Sequence, residues 1–154
     1  MDLKELYQDI ILEHGKNPRN FGKCVDYNHK AKGYNPLCGD QVQVYLKLDE
    51  KKNVNKVTFE GSGCAISMAS TSIMTELVKG KSLDVSKKII NEFFNMIKSG
   101  SEMKSEDLND DQKIKIMSLS GVKQYPMRVK CATLSWHTLV SALENKKKEV
   151  NTEK

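Results

Sequence analysis

The chain has 154 residues, 38% of them hydrophobic and 29% charged, with a formal net charge of +5, which suits one domain with its own core rather than two. That balance excludes a wholly disordered chain, and no apolar run is long enough to cross a bilayer. The opening MDLKELYQDIILEHGK lacks the basic head and continuous apolar stretch of an export signal, so a soluble, cytoplasmic protein without a membrane partner is expected. Part of the basic surplus sits in NKKKE near the C-terminus, with no aromatic-interleaved basic stripe, which argues against nucleic acid as a partner.

Leu3, Leu6, Tyr7, Ile10 and Ile11 recur at helical spacing and predict a helix over residues 3–13, stopped by Gly15 and Pro18. From His14 to Asp40 the chain is rich in Gly, Asn and Pro and reads as a long loop, with a short strand near Tyr27 to Gly33. QVQVYLKL alternates Val42, Val44, Leu46 and Leu48 with polar neighbours, and NKVTFEG places Val57 and Phe59 on one face. These are two strands expected to pair antiparallel. GSGCAISMASTSIMTELVKG predicts a turn capped by Ser62 and a helix with Ala65, Met68, Ala69, Ile73, Leu77 and Val78 inward, closed by Gly80. A further helix fits 84–98 on the stripe Ile89, Ile90, Phe93, Phe94 and Ile97, and a short one fits 112–121. Pro126 breaks the chain, and MRVKCATLSWHTLVSALENKK forms the last helix, with Leu134, Thr138, Leu139, Ala142 and Leu143 inward. Strands early and helices late predict an α+β fold, a small antiparallel β-sheet packed against α-helices. Residues 1–145 form the single domain and 146–154 a charged, fraying tail.

Four cysteines without an export signal point to metal binding or thiol chemistry rather than disulfides. Cys38 lies in a Gly-flanked loop before a strand, while Cys64 and Cys131 follow at two expected helix starts, where the helix dipole favours thiolate. Should these segments converge, Cys38, Asp40, Cys64 and Cys131 supply three sulfurs and an oxygen, a set that suits tetrahedral zinc. Otherwise they are small buried thiols, and Asp40 is a turn residue. The ligands are dispersed rather than paired as CxxC. Cys24 matches none of these settings and is read as a packed or free thiol. His14, His29 and His137 are read as caps, surface hydrogen bonds or core linings, and Trp136 and Tyr125 as core or partner contacts.

The blocks HGKNPRNFG, NPLCGDQVQVYLKL, GSGCAISMASTS and RVKCATLSW, in order along nearly the whole chain, resemble the successive motifs of the U-type iron-sulfur assembly proteins (IscU, SufU and the NifU N-terminal region). Two features are similar to the SufU branch: the segment 81–119, and YPMRVK before Cys131, with Lys130 where the scaffold branch has a histidine. The resemblance implies an IscU/SufU-like fold with Cys38, Asp40, Cys64 and Cys131 as metal ligands. It also implies bound Zn²⁺ and the role of zinc-dependent sulfurtransferase, accepting persulfide sulfur from a SufS-type cysteine desulfurase for a downstream iron-sulfur scaffold. Cys38 is the expected acceptor, because it alone sits in a loop, between Pro36 and Gly39. Three thiolates and one carboxylate around a divalent ion leave two negative charges, which Arg128 and Lys130 are expected to offset. The alternatives are a scaffold that assembles a [2Fe-2S] cluster with iron in place of zinc, and a binding module in which zinc only holds the fold.

Overall fold

The computed structural model describes residues 2–146 and 149–152. The first helix, α1, spans Leu3–Lys16 and starts where the Asp2 carboxylate accepts the Glu5 N–H at 2.8 Å. It runs through Gly15 rather than stopping there. A Cβ at Gly15 would stand 3.0 Å from the Ala65 carbonyl oxygen, so this glycine marks a close helix approach and the chain leaves the helix only at Asn17, ahead of Pro18.

Strands β1 (His29–Asn35), β2 (Asp40–Leu48) and β3 (Val54–Ser62) form an antiparallel meander; the alternating pattern predicts the β2–β3 pair, whereas β1 runs two residues beyond the short strand expected near Tyr27 to Gly33, in what reads as a long loop. A fourth strand, β4 (Val150–Asn151), joins parallel to β1, giving the order β3-β2-β1-β4. The segment expected to fray as a tail therefore holds a strand; residues 147, 148, 153 and 154 of it lie outside the described residues.

The next helix, α2 (Ala65–Val78), is capped by Cys64, not by Ser62, which still belongs to β3. It ends at Lys79, and Gly80 follows at φ +83°, the left-handed position that glycine takes without strain. Helix α3 (Leu83–Ser99) is capped by Ser82 and buries Ile89, Ile90, Phe93 and Ile97. Helix α4 (Asp110–Met117) opens on a reciprocal capping pair, Asn109 and Gln112, and a 3-10 turn (Ser120–Gln124) leads to α5 (Pro126–Leu143).

Helix α5 crosses β1 and β2, and α2 packs on β3 and α5. Gly33 is what admits α5, since a Cβ there would collide with Thr138 and Leu134. Val44, Leu46, Phe59, Ile73, Leu134 and Trp136 are sealed between sheet and helices, with Trp136 stacked on Phe93 at 4.1 Å. No helix among the described residues is long and apolar enough to cross a membrane.

Candidate metal centre

Three pieces of chain meet at one end of the sheet. Asn35 and Asp40 oppose each other across β1 and β2, leaving Pro36, Leu37, Cys38 and Gly39 as the connecting turn. Gly39 takes φ +71°, a backbone conformation that side chains resist, and this reverses the chain between Cys38 and Asp40. Pro36, Leu37 and Gly39 are exposed and Cys38 is half-buried, so its thiol is at the tip of a hairpin. Because Ser62 pairs with Gln41, the chain entering α2 passes directly beside Asp40. A Cβ at Gly63 would fall on the Asp40 carboxylate, so a glycine is required there. The third piece is α5, which brings in Cys131, 1% exposed.

Among the described residues, ligand atoms of Cys38, Asp40 and Cys131 all lie within 4.8 Å of one another. The Cys131 thiol donates to the Cys38 sulfur at 3.4 Å. Two sulfurs on one tetrahedral zinc stand roughly 3.8 Å apart, given Zn–S bonds of about 2.3 Å. The set is therefore within a small side-chain adjustment of that geometry. Asp40 is fully buried, accepting the Cys64 N–H on Oδ1 at 3.0 Å and the Asn35 side-chain N–H on Oδ2 at 3.1 Å. A buried carboxylate beside two thiols, with donors on both oxygens, fits a cation site far better than a turn residue at the surface.

Cys64 departs from the expected fourfold set. Its sulfur accepts the Ser67 N–H at 3.5 Å and so caps α2, while its own N–H serves Asp40. Cys131 departs too, in its chemistry. Pro126 is the first residue of α5 rather than a break before it, which puts Cys131 in the second turn, where the helix-end field has largely faded. Burial, the Cys38 thiol and the Asp40 carboxylate instead push its pKa far above the usual thiol range. Without a cation the proton stays on Cys131; a bound cation would have to displace it.

Arg128 supplies the nearby positive charge. Its pKa is raised chiefly by a hydrogen bond to Cys131, with the electrostatics of the clustered cysteines adding to it. Lys130 lines a cavity of about 400 Å³ on α5, with Thr133, His137 and Ser141.

Residues 6–146 match the model of the NifU-like N-terminal domain. The chain belongs to this family. It is 41% identical over 143 residues to the zinc-dependent sulfurtransferase SufU of Bacillus subtilis, covering 90% of this chain and 89% of that protein. It is 36% identical over 145 residues to the iron-sulfur cluster assembly scaffold protein IscU of Thermotoga maritima, covering 94% and 96%. A crystal structure of a SUF-system scaffold protein from Fervidobacterium islandicum superposes with a TM-score of 0.78 at 37% identity, over 90% of this chain and 97% of that one. The α+β fold with a small sheet against helices is thus the family's fold.

The residues outside the centre sort by packing. Cys24 is a buried thiol that donates to Asp26 at 3.2 Å. His14 is not at the surface: it is 2% exposed, with Nδ1 2.8 Å from the Ser72 hydroxyl, and burial followed by the Arg19 charge lowers its pKa. His29 reaches the Ala142 carbonyl, and His137 stacks on Phe94. Trp136 is core, its indole N–H donating to Ser70 at 2.9 Å, whereas Tyr125 is exposed. Asn35 and Gly63 are the participants that sequence reasoning missed. The signal for Asn35 was its place opposite Asp40 across a four-residue turn.

Proposed function

We propose that the protein is a zinc-dependent sulfurtransferase of iron-sulfur cluster assembly, taking persulfide sulfur from a cysteine desulfurase and passing it to a downstream scaffold. The observation that carries this reading is Cys38, half-exposed on a hairpin tip and 3.4 Å from the sulfur of buried Cys131. One thiol faces outward and its neighbour is locked in. The name of the Bacillus subtilis relative supports the assignment.

Cys38, Asp40 and Cys131 would hold the ion, and Cys64 would complete the set by rotating its sulfur from the weak Ser67 N–H contact toward them. Zinc, when bound, keeps thiols ionised without redox chemistry. The Cys38 thiolate attacks the outer sulfur of the desulfurase persulfide. A new S–S bond forms on Cys38, the partner's S–S bond breaks, and the electron pair leaves on the partner's cysteine. The persulfide proton stays with the transferred sulfur, so no external oxidant or reductant is consumed. Arg128 offsets the negative charge that accumulates on the sulfurs during transfer.

Cys38→Ser is expected to abolish stimulation of the desulfurase while leaving secondary structure intact, as measured by sulfide release and circular dichroism; full stimulation by that variant would overturn the assignment. Relatives named as scaffolds make cluster assembly the second reading. Zinc at one equivalent with persulfide on Cys38 favours transfer, whereas a stable brown chromophore after iron and sulfide reconstitution favours the scaffold.

A further inference from the structure

The C-terminal strand does more than extend the sheet. Val150 and Asn151 pair with Gly33 and Tyr34, and the Thr152 N–H donates to the Tyr34 carbonyl at 3.2 Å. This register sets the Thr152 hydroxyl against Asn35, where it donates to the side-chain carbonyl Oδ1 at 3.0 Å. Asn35 is fully buried. From its other end the same amide donates to Asp40 Oδ2 at 3.1 Å and faces the Cys131 sulfur at 3.7 Å. A continuous chain of hydrogen bonds thus runs from Thr152 through Asn35 to two members of the donor cluster.

The orientation of the Asn35 amide is critical here. With its NH₂ toward Asp40 and Cys131 it stabilises a carboxylate and a sulfur; turned over, it would set a carbonyl oxygen against both. Oδ1 then needs a donor of its own, because a buried acceptor without one is costly. Thr152 is the residue that supplies it. We propose that Asn35 is a positioning residue for the metal ligands Asp40 and Cys131, and that the C-terminal strand holds it in its working orientation through the Thr152 hydroxyl. This rests on the reading of Cys38, Asp40 and Cys131 as metal ligands. Hydrogen-bond partners of ligating groups commonly matter to metal affinity, by about 10- to 100-fold.

The test uses the full chain and its Thr152→Val, Thr152→Ser and Asn35→Ala variants, with zinc affinity read by competition against a chromophoric chelator and ligand geometry by the absorption of the cobalt(II) form. Thr152 is only half-buried, lies just past β4, and shares valine's β-branched shape, so Thr152→Val keeps the fold even where Asn35→Ala does not. Thr152→Val is expected to bind zinc roughly tenfold or more weakly and to shift the cobalt bands, and Thr152→Ser to restore both. If the wild-type chain takes up one metal ion and Thr152→Val matches it in affinity and spectrum, the strand has no such role while the metal reading stands. Equal losses in the serine and valine variants would overturn the role of the hydroxyl. A wild-type chain that binds neither metal overturns the metal reading, and this proposal with it.

Discussion

Tyr45 illustrates how a single side chain can be polar in sequence and core in structure. It sits among the alternating residues of β2 on what reads as the solvent side, yet it is 3% exposed, packed against Tyr27 with its hydroxyl donating to Glu60 at 2.6 Å. Burial, then the Glu60 hydrogen bond, pushes its pKa up to about 12. The raised value means that its contribution to stability is complete below the unfolded-state pKa of about 10 and is lost as pH rises toward 12. Urea unfolding of the wild type is therefore expected to weaken more steeply between these two values than that of Tyr45→Phe. An ultraviolet titration in which Tyr45 ionises together with exposed Tyr125 would contradict this.

At the scale of elements, α2 and α5 carry Cys64 and Cys131, and what fastens them is a hydroxyl. Ser70 donates to the Ala132 carbonyl at 2.5 Å and accepts the Trp136 indole N–H at 2.9 Å. Ser70→Ala would leave the buried Trp136 indole N–H without its acceptor, while the Ala132 carbonyl keeps its bond within α5, so a loss of about 2 kcal/mol in urea unfolding is expected, together with a change in tryptophan fluorescence. This seam also explains where periodicity misled. The apolar stripe of α2 leaves out Ser67, Ser70, Thr71, Ser72 and Thr75, yet all five are buried, with hydrogen bonds that close within α2 or reach His14, α5 and the loop at Arg19, while Ala65, read as inward, is exposed. Strands β2 and β3 and helix α3 were legible because an apolar stripe marks their core face. The cap of α2 was not, because a cysteine sulfur took the place that Ser62 seemed made for. Pro126 was misread for a related reason, since a proline that ends one helix also opens another.

For the molecule as a whole, the candidate centre ties the hairpin tip, the entry to α2 and the body of α5 into one unit. A ligand that binds only the folded chain stabilises it by about 4 kcal/mol when present at a thousand times its Kd. Removing zinc with a chelator is thus expected to lower Tm by roughly 8–16 °C, measured by calorimetry at fixed free zinc; an unchanged Tm in a zinc-loaded sample would show that the ion spans no structural join. The convergence of Cys38, Asp40 and Cys131 was foreseeable from the motifs, whereas β4 was not: two residues in a charged segment carry no period. That short strand has a counterpart across the sheet, where Phe21 bridges to Phe59 and Gly22 donates to its carbonyl on the outer side of β3. Each rim of the sheet is thereby stoppered over part of its length by a brief stretch of chain from elsewhere. Neighbouring molecules meet no long open row of amides and carbonyls on which to stack, and this protects a concentrated solution of the protein from clumping rim to rim.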